Sequence, residues 1–178
     1  MLLRIFVLTA VLFAGCIDEE DRTMQPLTLS KIPYLGNELR TDGYYYAGRS
    51  SKNVISVVVL YRDGVCFQAY AEPTGQDTID FIKNGIFGDK TFMSRSWSNP
   101  QNIGAFHVIN DSLKFDIRNP SAGGDIITLS YFHKILNDTT FVQTKFVNNA
   151  TRQTFPENLT YHFKQFSPKP DSTNTFIK

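Results

Sequence analysis

Tryptophan occurs once, cysteine twice and histidine three times in 178 residues, and each scarcity closes off a chemistry. The histidines, at 107, 133 and 162, fall on separate segments. On the strand registers derived below, His107 and His162 point outward and His133 inward, so they do not converge on a zinc ion. An excess of charge of one sign is also missing. The chain carries +1, and without residues 1–15, which contain Arg4, it holds 17 basic and 17 acidic side chains. Nucleic-acid binders draw much of their affinity from a basic excess, so that class is set aside. No phosphate loop, Gly-X-Ser-X-Gly elbow, His-Glu-X-X-His or calcium loop occurs, and Gly123-Gly124 is a loop hinge rather than a nucleotide site. No cofactor is implied. These absences argue against an enzyme, although barrel active sites are assembled from scattered residues that no short motif reveals.

Apolar runs of bilayer-spanning length are absent as well. Residues 1–15 have one positive charge, about ten apolar residues and then small residues. That is the layout of a secretory leader and too short for a spanning helix, which needs roughly 20 residues. The stretch Leu12-Phe13-Ala14-Gly15-Cys16 resembles the lipobox of bacterial lipoproteins, with Phe13 where Leu is usual. The resemblance implies cleavage before Cys16 and a diacylglycerol on its sulfur, with acyl chains of the palmitate kind. Several acyl chains together give stable attachment. Ile17-Asp18-Glu19-Glu20-Asp21 is similar to the acidic export signal of Bacteroidetes lipoproteins, without its Lys or Gln. It implies anchoring to the outer membrane on its external face; the alternative is a solvated acidic linker. With Cys16 acylated, Cys66 is the one remaining thiol, no internal disulfide forms, and its apolar strand marks it as a small buried hydrophobe.

The rest of the chain is rich in aromatics, with 15 Phe and 8 Tyr, which favours strands. Residues 16–39 form the lipidated N-terminus and a tether interrupted by Pro26 and Pro33, residues 40–166 a single domain, and residues 167–178 a tail that is frayed or lies along the surface. Within the domain, short strands alternate with turns. Asp63-Gly64 predicts a two-residue hairpin pairing Leu60 with Phe67 and Val58 with Ala69. Both faces of that hairpin are apolar, so each needs a cover. Residues 75–88 read as the one helix, capped by Asp77, and supply the outer cover; residues 89–102 read as irregular. Asn110-Asp111 predicts a second hairpin pairing Val108 with Leu113, Phe106 with Phe115 and Gly104 with Ile117. A third, around Asn137-Asp138, sets Ile127, Leu129, Tyr131 and Ile135 on one face with Val142 and Phe146, and sets His133 opposite Val142. The last strand, residues 159–166, turns Leu159, Tyr161 and Phe163 inward.

About eight antiparallel strands in succession, with one helix after the third, predict a mainly β fold that closes into an up-and-down barrel, because closure removes exposed edges. A two-sheet β-sandwich is the alternative. Strand count and order resemble the lipocalin-like (calycin) barrels. The segments Thr41-Asp42-Gly43-Tyr44-Tyr45-Tyr46 and Ile135-Leu136-Asn137-Asp138-Thr139-Thr140-Phe141 resemble those of uncharacterised Bacteroidetes lipoproteins. Eight strands leave room for side chains or one small ligand. The expected site for a small apolar ligand is therefore the interior: His133, Tyr131, Phe106, Phe115 and Tyr161. For His133 the other reading is a hydrogen-bonded residue near the barrel mouth. The competing function is an accessory subunit of an envelope protein complex, for which Tyr44–Tyr46 offer exposed aromatics. Asp followed by Ser or Thr recurs in the pattern of Bacteroidetes O-glycosylation, marking Thr78, Ser112, Thr139 and Ser172; turns and caps favour the same dipeptides.

Overall fold

The structure, a computed structural model, describes residues 23–49, 53–73, 75, 77–121 and 124–177. The leader, Cys16 and the acidic run lie outside the described residues. Eight strands follow one another: β1 (Gly43–Arg49), β2 (Val54–Leu60), β3 (Val65–Ala71), β4 (Ile103–Ile109), β5 (Ser112–Pro120), β6 (Ile126–Asn137), β7 (Thr140–Asn148) and β8 (Thr154–Gln165). Each pairs antiparallel with the next, and β1 pairs with β8 from Gly43↔Gln165 to Tyr46↔His162, so the sheet closes on itself. The result is a mainly β, eight-stranded barrel consistent with the lipocalin-like architecture, and closure excludes the sandwich.

The second hairpin has the expected register, with Phe106 opposite Phe115 and Gly104 opposite Ile117. The first is shifted by one: Leu60 meets Cys66, and Val57 meets Ala69. The reversal takes three residues instead of two. Gly64 N–H donates to the Tyr61 carbonyl, Tyr61 N–H donates to Val65, and Gly64 sits at φ +87°, the three-residue loop that ends on a left-handed glycine. Because side chains alternate, the extra residue exchanges the faces of β3. Cys66 and Gln68 turn inward, while Phe67 and Ala69 turn outward. The third reversal also moves, to Asp138-Thr139, with irregular pairing at Phe132/His133 and Ile135/Asn137. His133 therefore faces Gln143, and Val142 pairs with Lys134 instead. β8 starts at Thr154, five residues before the expected 159, and its Pro156 sits at a break in the β7–β8 register where no ladder donor is needed.

The insertion after β3 is helical, as expected. Asp77 caps α1 (Thr78–Phe81) by accepting from Ile79 and Asp80 N–H, and the chain continues into a π-helical turn, Ile82–Phe87. Residues 89–102, expected to be irregular, contain α2 (Lys90–Trp97), capped by Asp89, and a short 3₁₀ turn, Pro100–Asn102. Serines at 94, 96 and 98 masked the stripe formed by Met93 and Trp97. Ile82, Ile86 and Met93 cover the outer face of β2–β3 and pack on Val57, Val59, Phe67 and Ala69. The insertion leaves β3 and β4 joined by three residue pairs, from Val65↔Ala105 to Phe67↔Ile103.

The tether segment is docked on the barrel from residue 23 onward. Met24 bridges to Ile126, Tyr34 N–H donates to the Arg62 carbonyl, and Arg40 N–H donates to Asp138. Tyr34 and Leu39 are buried in the barrel's core cluster, so this strap runs down the wall and closes the end of the barrel where β1 starts. The tail takes the second of its two expected courses, along the surface, with Lys169 Nζ donating to the Thr41 and Leu60 carbonyls and Ile177 buried against the outer cluster. Tyr44 and Tyr45 are fully buried and Tyr46 partly so, which removes the exposed aromatics expected there.

Candidate functional site

The five residues expected to line a ligand site do come together inside the barrel. Phe115 stacks on His133 at 4.6 Å and lies 5.1 Å from Tyr131, while His133 meets Tyr161 edge-on at 5.9 Å. Phe106 pairs with Phe115 and packs on Tyr34 of the strap at 5.6 Å. Phe141 completes the stack, 4.9 Å from Tyr161 and 5.0 Å from His133. Ring spacings of this size are those of aromatics in direct contact, and each of the five is at most 3% exposed. The rings fill one another's space. Among the described recesses, none is lined by Phe115, Tyr131 or Tyr161, whereas Phe106 lines one beside the strap and His133 borders one that opens on the outer wall.

Inside this stack His133 Nδ1–H donates to the Leu113 carbonyl at 3.2 Å, which leaves Nε2 as a buried acceptor without a partner. Burial drives its pKa down to about 3, outweighing the Leu113 bond, which raises it. His133 is thus a neutral core histidine. Sequence reading missed the polar residues around it. Tyr161 Oη–H donates to Ser56 Oγ at 2.9 Å, and Gln68 Nε2 donates to the same oxygen at 3.3 Å. Gln68 Oε1 and both side-chain heteroatoms of Gln143 are buried without partners. The first-hairpin register hid Gln68, and the third hid Gln143. Burial pushes the Cys66 thiol well above its ordinary pKa, so it stays protonated and unreactive.

The outer wall carries a recess that was not anticipated. About 550 Å³ in volume, it is bordered by Leu29, His107, Ile109, Phe132, Lys134 and Lys145, among others. Phe132 forms its floor, with Lys145 Nζ at 4.9 Å and Lys114 Nζ at 5.6 Å from the ring centroid. The signal was present in the sequence as an aromatic two residues before Lys134, on the face of β6 opposite Tyr131 and His133. Compared with known proteins, the chain matches no family model, no curated protein and no solved structure. Geometry alone carries the functional reading. No group of three or more metal-ligating side chains occurs among the described residues, and His107 is engaged by the Ser30 carbonyl at 2.9 Å.

The four Asp-Ser/Thr positions are scattered. Thr78 opens α1 behind its cap. Ser112 starts β5 at an exposed tip, and Thr139 lies in the next reversal, its hydroxyl donating to Asn137 at 2.8 Å. Ser172 is on the tail, donating to Asp63 at 3.1 Å. Two of the preceding Asp residues also stabilise local structure, since Asp77 caps α1 and Asp171 accepts from Thr173 N–H.

Proposed function

We propose that this chain is a Bacteroidetes-type envelope lipoprotein, held to the outer membrane through acylated Cys16, whose barrel is a packed scaffold working through its outer surface. The observation that carries the reading is the interlocked stack of Phe115, His133, Phe141 and Tyr161, set against an open, apolar recess on the outer wall. A ligand inside would have to displace rings that contact one another. The leader and lipobox support the anchor. Thr23 follows Cys16 by seven residues, which span at most about 25 Å when extended, so an anchored barrel stays close to the membrane.

Crosslinking in native membranes tests the reading. Charge reversal on the outer wall, Lys134→Glu with Lys145→Glu, removes the adduct obtained with the parent chain, whereas the interior change Tyr161→Phe retains it. The opposite pattern, with loss on Tyr161→Phe alone, would place the work inside the barrel. Cys16→Ser releases the protein from the membrane fraction; retention there counts against the anchor.

A second reading, an interior small-molecule site, is favoured by the unpartnered His133 Nε2, Gln68 Oε1 and Gln143 side chain. Such groups are costly when left alone. Dye displacement that is abolished by Gln143→Leu and insensitive to the outer lysines would support it.

A further inference from the structure

Beside a recess of about 380 Å³ between the strap and β4, whose lining carboxylate is Glu38 and which has no lysine or arginine, three recesses compete for a role beyond the scaffold. One of about 140 Å³ beside Gln68 and Arg118 is smaller than a ligand site needs. One of about 450 Å³ lies between Trp97 of α2 and Lys169 of the tail, but that lysine already donates to the Thr41 and Leu60 carbonyls and sits 4.4 Å over Tyr61. The recess floored by Phe132 differs from both: it has an apolar lining and cations at its rim.

Register builds it. Phe132 pairs with Lys114 on β5 and with Lys145 on β7, and the two ammonium groups lie over the outward ring. Two residues on, Lys134 stands exposed on the same face. Leu29 of the strap and Ile109, which is 67% exposed, add apolar surface. Among the described lining residues the carboxylate is Asp111, against Lys114, Lys134 and Lys145. Asp116, wholly buried beneath Lys114 at 3.7 Å, takes up part of that one charge. Lys134 and Lys145 therefore present positive charge beside apolar surface.

We infer that this groove binds a single-chain anionic amphiphile, its tail lying over Phe132 and Ile109 and its acidic head held by Lys134 and Lys145. The inference rests on the outer-surface reading and names a ligand class for it. A neutral apolar molecule would cover the same floor yet leave both ammonium groups without a counter-charge, and a small anion would leave the floor wet. A volume of about 550 Å³ lies within the range of sites that enclose one small molecule. The concave shape therefore favours one molecule over the face of a bilayer.

The test uses the full chain carrying Cys16→Ser, with laurate and its neutral counterpart dodecanol as probes below their aggregation thresholds, followed by calorimetry. Laurate binds at least tenfold more tightly than dodecanol. Lys134→Glu with Lys145→Glu lowers laurate affinity tenfold or more and leaves dodecanol affinity within twofold. Both substitutions are at exposed positions, and an unchanged thermal unfolding curve confirms that the barrel is intact. Equal affinity for the two probes, or laurate binding indifferent to charge reversal, overturns the inference. So does binding confined to phosphatidylglycerol vesicles with none to monomeric laurate. Loss of laurate binding on Tyr161→Phe would instead sink the outer-surface reading itself. A negative laurate result combined with a membrane crosslink that still requires the outer lysines would sink only the ligand assignment.

Discussion

Thr28 commits both of its donors to one oxygen of Asp116: its backbone N–H at 2.6 Å and its hydroxyl at 2.7 Å converge on Oδ2. Leu29 N–H joins them at 2.9 Å, and Ser130 donates to the other oxygen at 2.7 Å. Asp116 has no solvent exposure although it lies on the outward face of β5. A carboxylate in the barrel wall thus clasps the strap that leads back toward Cys16.

Asp116→Ala strips the partner from three strap donors while leaving them partly covered. Hydrogen bonds to charged groups contribute about 1.5–3 kcal/mol each in favourable cases, so we expect a loss of about 2–4 kcal/mol and faster amide exchange at residues 25–30. Parent-like exchange there would show that the strap is held by other contacts.

His133 makes the barrel sensitive to mild acid. Its folded pKa is about 3 against an ordinary 6.5, so between those values the unfolded chain binds a proton that the native chain refuses. Stability then rises with pH across that window and falls as pH drops from 6.5 toward 3. His133→Phe should flatten the difference in melting temperature between pH 4 and pH 7. A variant with the parent's full acid slope would mean that other groups set it.

Asp63 ties together three segments distant in sequence. It pairs with Lys31 of the strap at 3.0 Å, accepts from Val65 N–H in its own turn at 3.2 Å, and receives the Ser172 hydroxyl of the tail. Burial pushes its carboxyl up, but Lys31, Val65 and Ser172 together outweigh burial and hold its pKa below the ordinary value. A depressed carboxylate stabilises the fold above its unfolded pKa, and this contribution is lost as pH falls through the folded one. Asp63→Asn should therefore loosen strap and tail at neutral pH, read as new proteolytic sites in residues 31–36 and 168–174. In this variant, cleavage restricted to one segment would break the proposed link.

Two strand glycines should respond in opposite directions. A Cβ on Gly104 would run into the backbone carbonyl of Asp116 across the β4–β5 pair, whereas at Gly48 nothing lies within 4 Å. Gly104→Ala should cost about 2–4 kcal/mol, since the obstacle is backbone. Gly48→Ala should be neutral or stabilise by about 0.5–1 kcal/mol through lost chain entropy. Denaturant melts of the two variants check both; equal effects would mean that the sheet opens at Gly104 without penalty.

Much of the barrel was legible because alternation is a local signal. Phe106, Val108, Leu113 and Phe115 face inward around an Asn-Asp turn, and the pairing follows from the turn length alone. Where the turn differed, so did the faces. Asp63-Gly64 reads as a two-residue reversal, but Arg62 joins it, and Phe67 exchanges places with Cys66. The move of the third turn to Asp138-Thr139, with the irregular pairing at Ile135/Asn137, likewise brought Gln143 into the core in place of Val142. Local propensity is blind to such insertions, because the unpaired residue is placed by its neighbours in the sheet. The ring cluster at His133 was readable for the same reason as the strands that carry it. The groove at Phe132 was not, because its walls come from β4, β5, β6, β7 and the strap.

Residue order by itself determined the antiparallel succession of strands and the inward set Phe106, Phe115, Tyr131, His133 and Tyr161. Those features depend on neighbours a few positions apart, within reach of pattern and turn chemistry. Only the tertiary structure decided that β1 meets β8, that the strap is clasped to the wall by Asp116 at Thr28 and Leu29, and that two lysines from different strands lie over Phe132. Each of these joins residues far apart in the chain, and such contacts arise only when the closed sheet fixes which outward side chains stand side by side.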